Sequence, residues 1–270
     1  MSSPSLLSPS LSEPPELGKK GRRQQALLEL LETTGYVSVE QIAERFQITT
    51  QTARRDIADL SALGRVTRHH GGVALAMGID VVTYRQRRIE RVDAKRRIAQ
   101  EVVALVPDGA SVYLDCGTTC EAIADALVQR SALKVVTCNL RAASLLGERT
   151  DFTIAVPGGF VRNADGSVFG EGAADFLRSF RFDLAIISVS GIEMDGRMAD
   201  DDHQEVALAR TAIALSRTVL LAVDSFKFGR SGLVELGNLR DVSLLVSETA
   251  PPAELIPIIT EGKVQVQVCR

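Results

Sequence analysis

A chain of 270 residues, 45% hydrophobic and 24% charged, suffices for one large domain or two unequal ones and is too apolar to be disordered throughout. Aromatic residues make up only 4% and Trp is absent, which argues against a protein that reads single strands by base stacking. The net charge of −3 is unevenly shared: residues 19–72 carry +3 and the rest −6, a basic head on an acidic body that suits phosphate contact at the N-terminal end.

Residues 1–18, rich in Ser, Pro and Leu without a period, read as a disordered tail. From Arg22 the pattern is helical. Leu27, Leu28 and Leu31 share one face of a first helix, which Gly35 is expected to end. Ser38 with Gln41 three residues later is a capping box for a second helix whose apolar stripe is Val39, Ile42, Ala43 and Phe46. After the short turn Gln47–Ile48, Thr49 is placed to cap a third helix. There Ala53, Ile57 and Leu60 face inward, Gln51, Arg54 and Arg55 face outward, and Gly64 is the stop. RVTRHHGGV then reads as two extended arms around a tight turn, a wing. Residues 19–74 are therefore expected to form a winged helix-turn-helix, whose third helix fits a DNA major groove. Gln51 can pair with adenine and Arg54 or Arg55 with guanine. Thr50, Thr52, Arg65, Arg68, His69 and His70 are better placed for phosphates, which position the protein without specifying sequence.

Residues 75–91, with VVTYRQRRIER, are expected to be a charged linker. From residue 92 to 270 the texture changes. A helix with Ile98, Val102 and Val106 on one face leads into apolar runs at 111–115, 134–138, 151–156, 183–190, 218–224 and 242–248, mostly separated by helical patterns. Apolar strands alternating with helices indicate an α/β domain with a mostly parallel sheet covered on both faces.

Two loops of this body carry chemistry. LDCGTTCEAIADAL (114–127) reads strand, Gly-Thr-Thr loop, helix: either a tight turn that needs Gly117, or an anion site built from backbone N–H groups and the hydroxyls of Thr118 and Thr119. VPGGFVRNADGSVFGEG (156–172) places Gly158 and Gly159 after a strand, as a plain turn or a second pocket wall. Asp115, Asp200, Asp201, Asp202 and Glu205 supply carboxylates, Asp201 more simply as an exposed turn charge, and Lys227 supplies a cation. Such groups can hold the hydroxyls of a phosphorylated compound, or transfer protons. Cys116, Cys120, Cys138 and Cys269 follow neither disulfide nor zinc spacing and are expected to be reduced thiols. No stretch approaches the ~18 apolar residues of a membrane span and no signal-peptide pattern opens the chain, so a cytoplasmic protein is expected.

GYVSVEQIAERFQITTQTARRDIADL followed by RVTRHHGG closely resembles the N-terminal signature of DeoR-type transcriptional regulators, and the likeness runs from about residue 20 to 269. It implies that the TARRD stretch lies on a recognition helix, and that the body is a sensor similar in fold to ribose-5-phosphate isomerase that binds phosphorylated sugars or polyols. Chain length and the ending TEGKVQVQVC favour members answering to sn-glycerol 3-phosphate. Matched position by position, the resemblance implies an effector site of Asp115, Gly117, Thr118, Thr119, Asn139, Gly158, Gly159, Asp202, Glu205 and Lys227. Three positions depart from it: Ala53 stands where a larger apolar residue is usual, Cys138 replaces the usual Asn, and Ala209 the usual Lys, with Arg210 kept. The loss at 209 is expected to weaken the effector or shift its identity. The expected protein is a homo-oligomeric repressor, dimer or tetramer, of paired operator half-sites in double-stranded DNA, without cofactor, metal or catalytic residues. The rival reading is an isomerase-like enzyme with Glu205 and Lys227 as acid–base groups.

Overall fold

A computed structural model of the protein describes residues 18–34, 36–62, 65–69, 72–75, 81–170 and 172–269. The expected tail up to residue 17 and the expected helix stops Gly35 and Gly64 lie outside these residues. The chain divides into two compact units, Met1–Met77 and Gly78–Arg270.

The first unit runs α1 (Lys19–Thr34), β1 (Tyr36–Ser38), α2 (Val39–Arg45), α3 (Thr50–Ala62), β2 (Val66–His69) and β3 (Gly72–Leu75). The capping box opens α2 as its spacing demands. Gln41 N–H donates to Ser38 Oγ at 3.1 Å, and Ser38 N–H donates to Gln41 Oε1 at 2.8 Å. Thr49 Oγ1 accepts from the Thr52 N–H at 3.1 Å and starts α3 in the same way. Leu27, Leu28, Leu31, Ile42, Ala53, Ile57, Leu60, Val66 and Val73 close into one apolar core. Arg23 ties α1 to α3 through the buried Asp56, at 2.6 Å. The wing arms β2 and β3 pair antiparallel, and β1, a strand the sequence pattern did not announce, pairs with the other edge of β3.

The second unit begins with two helices, α4 (Val81–Ile89) and α5 (Val92–Ala104). Strands and helices then alternate: β4 (Ser111–Leu114), α6 (Thr118–Leu127), β5 (Lys134–Thr137), α7 (Leu140–Arg149) and β6 (Thr153–Ala155). A hairpin of β7 (Phe160–Val161) and β8 (Val168–Phe169) precedes α8 (Ala173–Arg178) and β9 (Phe182–Ile187). Next come β10 (Gly191–Ile192), β11 (Arg197–Asp200), α9 (His203–Ala214), β12 (Ser216–Ala222) and β13 (Val234–Asn238). The unit closes with β14 (Leu244–Ser247), α10 (Ile256–Glu261) and β15 (Gln265–Val268).

Seven strands form one sheet in the order β15-β14-β12-β9-β4-β5-β6, and every neighbouring pair is parallel. The expected runs supply six of these strands; β15 is the seventh, and its alternation of Gln and Val marks a half-exposed edge. Two apolar clusters cover the two faces. Ile98, Val102, Ile123 and Leu146 pack on one side, and Leu177, Val206, Ala212 and Leu255 on the other. Between β4 and β9 the strand order reverses direction. Ligands of open α/β sheets bind outside the carboxyl ends of the strands at such a reversal.

Residues 81–89, expected to be part of a linker, form the helix α4 instead. Tyr84 is its anchor: the side chain is buried and its hydroxyl donates to the Glu121 carboxylate on α6. Tyr84 is the one buried side chain of α4 among those described, which gives no periodic signal in a segment of many charges.

Replacing Ile42, buried at the centre of the first unit, with Ala is expected to cost about 2–4 kcal/mol of stability. Urea unfolding followed by circular dichroism checks this; an unchanged profile would mean that the helices of this unit do not share a core.

Candidate functional site

On the first unit, α3 turns Ala53, Asp56, Ile57 and Leu60 inward and leaves Thr50, Gln51, Arg54 and Arg55 exposed. Thr52 is half-buried because its hydroxyl is 2.9 Å from Thr49 Oγ1. Arg65 is half-buried at the entry to the wing. Arg68 and His69 lie on β2, but their side chains, and His70 altogether, fall outside what the structure describes. The exposed row has what major-groove recognition requires: a bidentate amide and two guanidiniums at the N-terminal end of a helix whose other face is packed.

On the second unit the sheet reversal gathers most of the expected effector residues. Asp115 follows β4, is buried, and accepts from the Tyr113 hydroxyl at 3.1 Å. Gly117 adopts φ +102°, a left-handed conformation that only Gly takes without strain, and open space lies where a Cβ would stand. It precedes α6, whose first turn has no side-chain cap, with Thr118 half-buried and Thr119 buried. Asn139 caps α7: its Oδ1 accepts from the N–H groups of Arg141 and Ala142 at 3.0 and 3.2 Å. Its Nδ2 is buried without a hydrogen-bond partner.

The two glycines of the second loop differ. Gly158 is exposed in open space, whereas Gly159, at φ +150°, packs so closely on β8 that a Cβ would stand 2.2 Å from the Phe169 carbonyl oxygen. Gly159 therefore has a packing role in the β7–β8 hairpin.

Asp202 and Glu205 already have a partner. The Arg162 guanidinium, which no sequence pattern singled out, pairs with Asp202 at 2.9 Å, with Asp165, and with Glu205. It also stacks 4.7 Å from the centre of the Phe169 ring. Asp202 caps α9 as well, accepting from the Gln204 and Glu205 N–H groups at 2.7 and 3.1 Å. The spacing Arg-x-x-Asp within a Gly-rich loop was the one available hint of Arg162, and it is a weak one. Asp201 is exposed, and Asp200 accepts from the Ser190 hydroxyl at 2.7 Å. Ala209 lies buried one turn beyond Glu205 on α9, and Arg210 instead bonds the Leu236 carbonyl at 2.9 Å.

These groups lie within electrostatic reach of one another. Burial pushes the Asp115 carboxyl up to about 7, and the Asp200 charge adds to it. Burial, then the Asp200 charge, pushes Glu205 up to about 8 against the opposing pull of Arg162. Asp200 itself is raised, chiefly by burial. Lys227, on the turn after β12, is lowered by burial and next by the positive charge of Arg87 on α4. Asp165 is held below the usual range because Arg162 outweighs its burial. All four cysteines are buried free thiols raised by burial, which makes them poor nucleophiles. Among the described residues no His, Cys, Asp and Glu group is arranged to hold a metal, and no helix is long and apolar enough to cross a membrane. The strand ends at the reversal thus combine carboxyls, some raised toward the protonated form near neutral pH, with an uncapped helix start and a lysine. That set suits a small, hydroxylated, anionic compound.

Comparison with known proteins agrees with both halves. Residues 23–77 match the family model of the DeoR-like helix-turn-helix domain, and residues 90–249 that of the DeoR C terminal sensor domain. The glycerol-3-phosphate regulon repressor of Escherichia coli (strain K12) is 37% identical over 251 residues, 93% of this chain and 100% of its own length. The HTH-type transcriptional repressor CsqR of the same organism is 35% identical over 244 residues, 90% of this chain and 94% of its own. Among solved structures, ribose 5-phosphate isomerase A from Methanocaldococcus jannaschii aligns with a TM-score of 0.40 at 16% identity, over 52% of this chain and 55% of its own.

The raised carboxyls predict the pH dependence of stability. Between their ordinary values of 3.8 and 4.5 and their raised values near 7 and 8, Asp115 and Glu205 hold protons in the folded chain that an unfolded chain has released. Stability therefore falls as pH rises through that window. The lowered Asp165, Asp183 and Glu248 act oppositely below it, where stability is lost as pH falls. Thermal melting is expected to peak near pH 5 and to be lower at pH 8 by on the order of 5 °C. A melting temperature that rises steadily from pH 5 to 8 would contradict the protonated cluster.

Proposed function

The chain belongs to the DeoR family of DNA-binding transcriptional repressors, and from that premise we propose that sn-glycerol 3-phosphate releases it from its operator. The identity to glycerol-3-phosphate regulon repressors over nearly the whole chain supports this choice of effector. The observation that carries the reading is the set of polar groups gathered at the sheet reversal. An uncapped α6 start and Lys227 offer a phosphoryl group its donors, beside carboxyls suited to two hydroxyls. In this reading Gly117, Thr118, Thr119 and Lys227 take the phosphoryl end and Asp115, Asn139 and Glu205 the polyol. Gly158 lines the entrance, while Gly159 and Asp202 shape the wall. Ala209 leaves the site one lysine short of its relatives' pattern, so the affinity rests more heavily on the cations that remain.

Thr50, Gln51, Thr52, Arg54, Arg55, Arg65, Arg68, His69 and His70 form the operator-reading surface of a cytoplasmic dimer or tetramer. Helix-turn-helix proteins use such symmetry to bind paired half-sites. Genes of glycerol and related carbon-source catabolism are the targets in this reading.

Arg54→Ala is expected to cost about 1–3 kcal/mol at the operator and to relax preference at one base pair. A binding-site selection with the variant checks it; uniform weakening across all sequences would make Arg54 a phosphate contact. In a thermal-shift assay, sn-glycerol 3-phosphate at 100 times its dissociation constant is expected to stabilise the protein by about 2.7 kcal/mol. Lys227→Ala is expected to keep operator affinity while blunting release. A shift with another phosphate ester alone would change the effector; unchanged release would remove Lys227 from the site.

A further inference from the structure

Hydrogen-bond donors without acceptors are gathered around the proposed effector site. Asn139, only 1% exposed, has a buried Nδ2 with no partner, and the buried Nε of Arg87 on α4 has none either. Neighbouring arginines differ: Arg162 is held by three carboxylates, Arg91 by Asp224 and Glu248, and Arg88 by Glu121. The Arg87 guanidinium and the Lys227 ammonium have no ion-pair partner among the described residues.

The contacts of α4 fix where Arg87 stands. Its Cζ is 5.8 Å from the centre of the Tyr84 ring, and the Cζ of Arg141, two residues past Asn139, is 5.6 Å from the same ring. Tyr84 bonds Glu121, three residues past Thr118 on α6. Four residues after Arg87, Arg91 reaches Asp224 at 3.1 Å and Ser225 Oγ at 2.7 Å, on the turn that carries Lys227. The α4 segment thus spans the carboxyl edge of the sheet from the β5 side to the β12 side. Arg87 sits on the stretch between these anchors, and its charge depresses Lys227 across the site.

Arg87 and Lys227 repel each other, a repulsion that the charges of Asp224 and Asp200 oppose at Lys227, and each unmet buried donor adds a further cost. A phosphomonoester relieves both, because it brings two negative charges and several acceptor oxygens, and a guanidinium fork matches its geometry. We propose that Arg87 is a direct ligand of the effector's phosphoryl group, opposite Lys227 and the first turn of α6. The inference rests on the effector reading above. It makes α4, the first helix of this unit after the DNA-binding unit, one wall of the binding site.

The test is calorimetric titration of the full-length protein and its Arg87→Ala and Arg87→Lys variants with sn-glycerol 3-phosphate and with ribose 5-phosphate, alongside effector-free operator affinity and melting temperature. Arg87→Ala is expected to weaken binding of the phosphate ester at least about tenfold, with operator affinity and melting temperature held. Arg87→Lys should recover part of the loss by restoring charge without the fork. Wild-type affinity in Arg87→Ala would overturn the inference and leave the effector reading standing. Loss of effector binding, operator binding and thermal stability together, with no recovery in Arg87→Lys, would also overturn it, as the mark of a packing role. Failure of the wild type to bind either ester would bring down the effector reading, and this inference with it.

Discussion

An all-parallel sheet imposes the constraint on which the rest of this body depends. Each strand must be reached by a crossover, so all seven carboxyl ends lie along one edge. Where the order reverses between β4 and β9, no connection can cover the gap, and the polar residues that end these strands face each other across it. Asp115 after β4, Asn139 after β5, Asp224 after β12 and Glu248 after β14 are all buried at that edge. The clustering of charge is a consequence of topology before it is a feature of ligand binding.

Burying so many carboxylates is unfavourable unless each is neutralised or bonded, and the protein uses two different solutions. Arg162 gathers Asp165, Asp202 and Glu205 around one guanidinium, which fixes the β7–β8 hairpin against the start of α9. Burial pushes Asp115, Asp200 and, against the pull of Arg162, Glu205 toward the protonated form, able to donate as well as accept. Rigid ion-paired walls around a few protonated, adaptable groups suit recognition of a small hydroxylated anion better than turnover of one. A proton-transfer catalyst would need its carboxylate free to move a proton, and Glu205 is tied to Arg162.

What the sequence disclosed follows the range of the interactions concerned. The capping box at Ser38 and Gln41, the inward row Ala53, Ile57 and Leu60, and six of the seven parallel strands are set by neighbours in sequence, and their patterns are visible there. The Gly117 loop was legible because a left-handed glycine between an apolar strand and a helix has few uses. Arg162 was not, since its partners Asp202 and Glu205 lie 40 and 43 residues away and no local spacing encodes them. The α4 helix was hidden for a related reason: Tyr84 sits in a largely charged segment, and its partner Glu121 is 37 residues on. Gly159, read as a plain turn or a pocket wall, also answers to the Phe169 backbone, a close approach that only three-dimensional packing reveals.

The placement of α4 bears on how a repressor of this kind can be switched. A ligand moves an equilibrium only by its differential affinity for two arrangements, so something that the effector touches must differ between the states. Residues of the sheet edge are poor candidates, because β4, β9 and β12 are locked in the core. The α4 segment is held differently. The buried Tyr84 holds it, lysine and arginine contacts brace its C-terminal end, and it is joined to α5 through Arg91 in a left-handed conformation that is uncommon for a residue with a side chain. Lys95, lowered to about 8 chiefly by burial, bonds the carbonyls of Arg87 and Glu90 and so ties that same joint to α5. An element fastened by a few polar contacts, with the DNA-binding unit directly before it in the chain, can shift at modest cost. With Arg87 as an effector ligand, free energy gained at α4 would be available to change operator affinity, and reciprocity would require the operator to change effector affinity by the same factor.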